Sequence, residues 1–368
     1  MSQPLNNLAS VLSGRGYSNT LYRPEFELAH AERIDKISSN RPFDRVRLHK
    51  LTGKFGRLGT RAARLFRLSE EDRIAIDFFR KTRGSISEDL LIGYDEFGAA
   101  MAWVCSRLTK KPYLVFSLEL NEHRRASRWE RMAWRNANAV ITFDPLRAEI
   151  LEDQYGLKHG HCLCVPNSSI GNSYELSNDF FRSRLGIPKD KHVVLMVGSL
   201  RPEHGTYELM KAVMSWPERF ALVMHGWGMD VEQQRTFDDI KGRCPDRLFL
   251  STELLPQEDQ PKIFASADIG IVAFTSKTIN HRFAGASAGK LFDFCQAGKP
   301  VLANDLPGMR DLVERNSIGC VVEQFSGIGS TLEKVIAEQA AYKENCHRFF
   351  QRNEFGVKMS AVLDTLEL

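Results

Sequence analysis

The chain has 368 residues, 43% of them hydrophobic and 26% charged, with 50 Lys and Arg against 46 Asp and Glu. This composition excludes disordered, fibrous and collagen-like classes, and the length predicts two domains. No apolar run reaches bilayer length, and Met1-Ser-Gln-Pro-Leu-Asn-Asn lacks the charged-then-apolar layout of a secretory leader. Seven cysteines without paired spacing suit a reducing cytoplasm.

Leu5 to Arg15 reads as a helix and Asn19-Thr-Leu-Tyr22 as a strand. The first domain therefore opens on a helix, where a doubly wound α/β domain ordinarily opens on a strand. Between Arg41 and Arg67 the net charge of +4 is concentrated: Arg41, Arg45, Arg47, Lys50, Lys54, Arg57, Arg61, Arg64 and Arg67 face a single acid, Asp44. Leu48, Leu51, Phe55, Leu58, Leu65 and Phe66 are interleaved with them. Such a stretch suits a basic amphipathic surface for anionic lipid headgroups or a lipid-linked diphosphate. A solvated helix face with arginine stems over apolar surface is the plain alternative. Nucleic acid is the rival partner, and is not expected.

Alternation then begins. Leu90–Tyr94, Pro112–Ser117, Ala139–Phe143 and Cys162–Val165 read as strands, separated by helices over Phe97–Arg107, about Arg125–Asn136 and Pro145–Tyr155. The polar stretch Pro166-Asn-Ser-Ser-Ile-Gly-Asn-Ser-Tyr174 is the expected linker. A second alternating series follows, with strands at His192–Val197, Phe220–His225, Leu248–Leu250, Ile269–Ala273, Pro300–Ala303 and Gly319–Val322, and a helix from about Thr206 to Trp216. The economical architecture is two Rossmann-like, doubly wound domains facing a cleft, with ligands beyond the carboxyl ends of the strands. The expected segments are 1–170, 171–345 and a terminal helix, 346–368, packing back toward the first domain.

Three strand-to-loop junctions of the second series carry candidate chemistry. In Val197-Gly-Ser-Leu-Arg-Pro-Glu-His-Gly205, Gly198 permits close backbone approach, Ser199 stands beside it, and Arg201 can clamp a diphosphate. In His225-Gly-Trp-Gly228, His225 and Gly226 leave room for a ribose or base. In Ser287-Ala-Gly-Lys-Leu-Phe-Asp293, small residues precede a helix whose first turns carry Lys290 and Asp293 on one face. Free N–H groups over Ala288, Gly289, Lys290 and Leu291 would seat an anion. Each alone reads equally as an ordinary turn or capped helix, and their convergence on one crevice gives them joint weight. His159-Gly-His-Cys-Leu-Cys164 has no second ligand cluster and alternates across a strand, so no metal site is expected.

The region from Val193 to Glu323 resembles the donor-binding domain of GT-B glycosyltransferases, in particular the retaining family-four group (glycosyl transferases group 1). The resemblance rests on Val197–Arg201, Ala267-Asp-Ile-Gly-Ile271, Ser287–Asp293, Ala297-Gly-Lys-Pro-Val-Leu-Ala303 and Asn304-Asp-Leu-Pro-Gly308. It is weaker over Ser117-Leu-Glu-Leu-Asn-Glu122, Ala137–Ile141 and Val165–Ser168. It implies a UDP- or GDP-linked sugar as donor, no cofactor, a glycan or lipid-linked acceptor, and retention of configuration. Arg201, Lys290 and the helix start would hold the diphosphate, and Asp293 the ribose. Glu119 and Glu122 are the candidate catalytic residues, orienting or deprotonating the acceptor hydroxyl. A cytoplasmic enzyme of surface polysaccharide synthesis, peripheral on the inner membrane face, is the expected setting.

The chain departs from that family at Gly285, where a glutamate is usual, at Leu118, where many relatives carry histidine, and at His204, which stands near a missing lysine. Two rivals follow: a non-catalytic nucleotide-sugar or carbohydrate-binding scaffold of the same fold, and a nucleotide-sugar 2-epimerase.

Overall fold

The computed structural model describes residues 3–24, 43–49, 70–82, 86–122, 126–176 and 178–368. The chain divides into two units, Met1–Pro166 with Lys358–Leu368, and Asn167–Val357.

In the first unit the helix Gln3–Gly14 buries Leu8, Ala9 and Leu12. Arg15 then donates to Asp364 at 2.7 Å and to the Leu368 carbonyl at 2.6 Å, tying in the terminal segment. Strand β1 (Thr20–Pro24) pairs in parallel with β2 (Arg45–His49), as a two-stranded sheet of its own. After the helix Glu70–Thr82 come β3 (Leu91–Tyr94), β4 (Tyr113–Phe116), β5 (Ala139–Thr142) and β6 (Cys162–Cys164), a four-stranded parallel sheet in that spatial order. The runs Tyr-Leu-Val-Phe and Ala-Val-Ile-Thr are buried throughout, as strands covered on both faces by helices must be. The connecting helices are Asp95–Thr109, Arg128–Arg135 and Pro145–Tyr155. The second starts at Arg128 rather than near Arg125, because Ser127 and Glu130 close a capping box there. Of the basic stretch 41–67, only 43–49 lie within the described residues, so the surface expected of it lies outside them.

The second unit holds six parallel strands: β7 (His192–Ser199), β8 (Phe220–Trp227), β9 (Leu248–Ser251), β10 (Ile269–Val272), β11 (Val301–Asn304) and β12 (Gly319–Val322). Their spatial order is β12-β11-β10-β7-β8-β9. The order reverses between β10 and β7, which opens a crevice at their carboxyl ends. Alternation along β7 divides the core: Val193 and Leu195 pack with Phe292 and Phe294, while Val194 and Met196 pack with Leu209, Met210 and Trp216. Gly270 in β10 is required by this packing, since a Cβ there would lie 2.4 Å from the Phe294 ring. Asp268 accepts from the Val193 N–H at 2.7 Å and from Arg182 at 3.2 Å, and so joins the start of β7 to the preceding helix, Phe180–Leu185.

Two strands run further than the sequence pattern suggests. Glycines at 198 and 226 read as the ends of strands, yet Gly198 pairs with Gly226 and Ser199 with Trp227. The absence of a side chain makes this possible: a Cβ on Gly226 would fall 1.7 Å from the Gly198 carbonyl oxygen. Here glycine extends a strand pair instead of terminating it. The helix expected over Thr206–Trp216 ends at Ala212 and tightens into a 3₁₀ turn over Val213–Ser215. Among the described residues no helix is long and apolar enough to cross a membrane.

Candidate functional site

The switch point of the second unit gathers the loops after β7 and β10 and the helix Gly289–Gln296. The β7 loop turns through Pro202–His204 and leaves it at Gly205, with φ 70°. Gly198 sits at φ 112°, a conformation that disfavours any side chain, and the Lys290 ammonium lies 4.0 Å from where its Cβ would be. Gly198 thus keeps open the space in front of Lys290.

Lys290 rises from the first turn of its helix, over a Phe274 ring whose centroid is 4.9 Å from Nζ. Nζ is buried and has no hydrogen-bond acceptor. Burial alone pulls its pKa down to about 8. The N–H groups of Ser287, Ala288 and Leu291 bond to the carbonyls of Ala284, Gly285 and Ala288. The N–H groups left to face an anion are therefore those of Gly289 and Lys290, rather than the whole run from Ala288 to Leu291. The Ser287 hydroxyl is turned to the Ala284 carbonyl at 2.6 Å.

Asp293, three residues on, has partners of its own. Its carboxylate is buried, with 6% of the residue exposed, and accepts from Ser169 and Gln260. Desolvation lifts its pKa to about 6 against those two hydrogen bonds. Among the described residues no ion pair joins it to Lys290. The linker residues also fix the preceding loop, because Asn167 donates from its backbone to Ala286 O at 2.9 Å and from its side chain to Ser287 O at 2.9 Å.

Six side chains that sequence reasoning did not assign complete this corner. His204 and His281 face each other with ring centroids 5.0 Å apart, and each packs on Phe274, at 5.4 and 5.6 Å. Asn304, at the end of β11, accepts from Phe274 N at 3.1 Å and donates to Phe274 O at 2.8 Å, which fixes the aromatic residue. Thr275 N donates to Glu203 O at 2.8 Å and ties the β10 loop to the β7 loop. The Nδ1 atoms of both histidines, Glu203 Oε2 and Thr275 Oγ1 are buried and lack protein partners, as Lys290 Nζ does. The only sequence signal for these groups was His204 near the place of a missing lysine.

The remaining candidates of this unit have plainer surroundings. Arg201 is exposed, its stem lying 3.1 Å from where a Cβ on Gly228 would sit. His225 is 8% exposed, with Nδ1 3.0 Å from the Ser251 hydroxyl and its ring 5.3 Å from Phe181. It is engaged within the sheet, and Ser199 and Gly226 stand in the β7–β8 pair itself.

In the first unit Glu119 follows the end of β4. Burial around its carboxylate raises its pKa, Arg147 opposes this, and Glu96 adds to it. Glu122 is exposed. Sequence reasoning missed Asp95, a non-glycine residue at φ 51° where β3 passes into its helix. Its Oδ1 accepts from Leu118 N at 2.7 Å and Glu119 N at 3.1 Å, and desolvation lifts its pKa to about 7. The buried Arg147 donates to the Leu118 carbonyl at 2.8 Å. Asp95 and Arg147 therefore position the Leu118–Glu119 loop. Among the described residues no group of three His, Cys, Asp or Glu is placed to hold a metal ion.

Residues 177–353, the span holding β7 to β12 and the Lys290 corner, match the family model of glycosyl transferases group 1. That segment is similar to glycosyl transferases group 1. A mannosylfructose-phosphate synthase of Agrobacterium fabrum is 27% identical over 174 residues, covering 43% of this chain and 37% of the relative. The match thus spans little more than a third of that enzyme's length. Across the whole chain the fold is that of GT-B glycosyltransferases. Anabaena HepE, solved with UDP, aligns with a TM-score of 0.73 at 15% identity, covering 100% of this chain and 96% of its own. Sucrose-phosphate synthase from Thermosynechococcus elongatus aligns with a TM-score of 0.66 at 16% identity, covering 98% and 92%.

Proposed function

We propose that the chain transfers a glycosyl group from a nucleoside diphosphate sugar, UDP- or GDP-linked, to a hydroxyl of a glycan or lipid-linked acceptor. The observation that carries this reading is Lys290: a buried ammonium without an acceptor, beside the free N–H groups of a helix start and in front of a side-chain-free Gly198. A diphosphate supplies what each of those groups lacks. In the transfer, the bond between the anomeric carbon and the diphosphate oxygen breaks. The acceptor oxygen bonds to that carbon and releases its proton, and the diphosphate leaves with the electron pair. Lys290, Arg201 and the helix start stabilise the charge growing on the leaving group, without requiring a metal ion. Asp293 receives the ribose hydroxyls, and Glu119 or Glu122 orients the acceptor or takes its proton. Retention of configuration follows from attack on the face the diphosphate leaves. Docking through the Arg41–Arg67 stretch would place the reaction at an anionic membrane surface.

The family match, the HepE complex with UDP and a further HepE complex with UDP-glucose support the donor class. Gly285 and Leu118, which remove two family side chains, favour a second reading as a non-catalytic nucleotide-sugar binder. Incubation with UDP- and GDP-sugars, followed by assay of free nucleotide and of the sugar product, separates the two. Release of nucleotide together with a glycoside or free sugar supports the enzyme. Binding without turnover on any acceptor supports the binder.

A further inference from the structure

The His204–His281 pair shares the Phe274 ring with Lys290, and no residue role assigned above explains it. The backbone of both residues is fixed. The His204 backbone N–H donates to Arg201 O at 3.0 Å within the 3₁₀ turn, and the His281 backbone N–H donates to the Thr278 hydroxyl at 3.2 Å. Phe274 backs both rings and the Lys290 ammonium as a common wall. Each histidine buries an Nδ1 without a protein partner, so the corner gathers three nitrogen groups of potential positive charge around one acid, Glu203.

Resting on the nucleoside diphosphate reading, we propose that His204 and His281 are phosphate-binding residues that act with Lys290 and take up protons as the diphosphate enters. A neutral imidazole cannot donate from both nitrogens, whereas an imidazolium can, so a phosphate against the pair favours the protonated form. The charges around His204 are Lys290, His281 and Arg201, with Glu203 the one acid acting on it. Around His281 they are Glu203 and Lys290, and the exposed Arg282 reaches away to the Ser276 carbonyl. Burial, then Lys290, press His204 down to about 4, and burial lowers His281 as well, opposed by Glu203 and helped to a lesser degree by Lys290. Both are therefore neutral in the free protein at neutral pH. An entering dianion reverses the local sign and raises both, so affinity must rise as pH falls.

The test is calorimetric titration with UDP and GDP at pH 7.5, in buffers of differing ionisation enthalpy, for the wild type, His204→Lys, His204→Gln and His281→Gln. The dependence of heat on buffer counts the protons taken up. The wild type is expected to take up about one proton per nucleotide, and to lose up to about tenfold in affinity per unit of rising pH. His204→Lys supplies a permanent cation, so it should bind with much less uptake and a flatter pH dependence. The glutamine variants should bind more weakly. Nucleotide binding with no uptake, or with uptake undiminished in both glutamine variants, overturns the inference while leaving the nucleotide reading intact. Failure of the wild type to bind either nucleotide overturns both.

Discussion

The strand ends of the two units differ in what their polar groups have to hold. In the first unit Asp95 holds the Leu118 and Glu119 N–H groups, and Arg147 holds the Leu118 carbonyl. These groups build a loop. In the second unit Lys290 Nζ, the Nδ1 atoms of His204 and His281, Glu203 Oε2 and Thr275 Oγ1 gather in one corner without protein partners. The first unit has unpartnered buried atoms too, at Trp134, Thr142 and His161 among others, but on separate segments. A buried polar group left unsatisfied costs about 1–3 kcal/mol, so a gathering of them persists where something other than the fold requires it. The comparison sets a cluster of unpartnered polar groups in the second unit against loop-holding groups in the first, and the proposed function assigns the ligand to the former.

The largest effect expected from a single change tests the packing that carries this corner. Gly270→Ala would push a methyl group into the Phe294 ring, which belongs to the same helix as Lys290. Overpacking against a ring already in a closed core should cost about 3 kcal/mol or more. Chemical denaturation measures it, and a loss under about 1 kcal/mol would show that the helix can move without penalty.

A smaller effect tests whether Asp293 is kept for the fold or in spite of it. Its pKa is raised by burial to about 6, above the 3.8 of an ordinary aspartate. The folded state therefore holds the proton more tightly, and stability is lost as pH rises through that window. The penalty above pH 6 is about 3 kcal/mol on the scale of one pKa unit per 1.36 kcal/mol. Asp293→Asn should flatten the stability profile between pH 4 and 6, and should leave the protein no less stable at pH 7. An unchanged slope would mean that another group titrates there. A stability gain at neutral pH would mark Asp293 as a residue retained at a structural cost.

Much of the architecture was legible because the pattern is local. Short apolar runs alternating with amphipathic helices gave β3 to β12, since every strand of a covered parallel sheet must be apolar on both faces. Strand β2 lies instead in the arginine-rich stretch that read as a basic surface. Lys290 was legible because small residues, a lysine and a helix start lie adjacent in the chain. Gly198 and Gly226 were recognised as places of close approach, but were read as strand ends. The sequence does not reveal that two glycines facing each other let the strands continue. Phe274, His281 and Asn304 were not legible at all. Each gains its meaning from a neighbour brought in by the sheet order, as when Asn304 at the end of β11 clamps the backbone beyond β10. No local spacing records such a meeting. Asp95 was missed because an aspartate before a helix reads as an ordinary cap, and its positive φ is invisible in sequence.

The central claim is that the unpartnered corner around Lys290 binds a nucleoside diphosphate. Calorimetric titration of wild type and Lys290→Ala with UDP, GDP, ADP and dTDP, without added metal, tests it most directly. The wild type should bind UDP or GDP, and the variant should lose about 1.5–3 kcal/mol of that affinity, the worth of a charge-assisted contact. Equal affinities in the two proteins would contradict the assignment and leave Lys290 a structural residue.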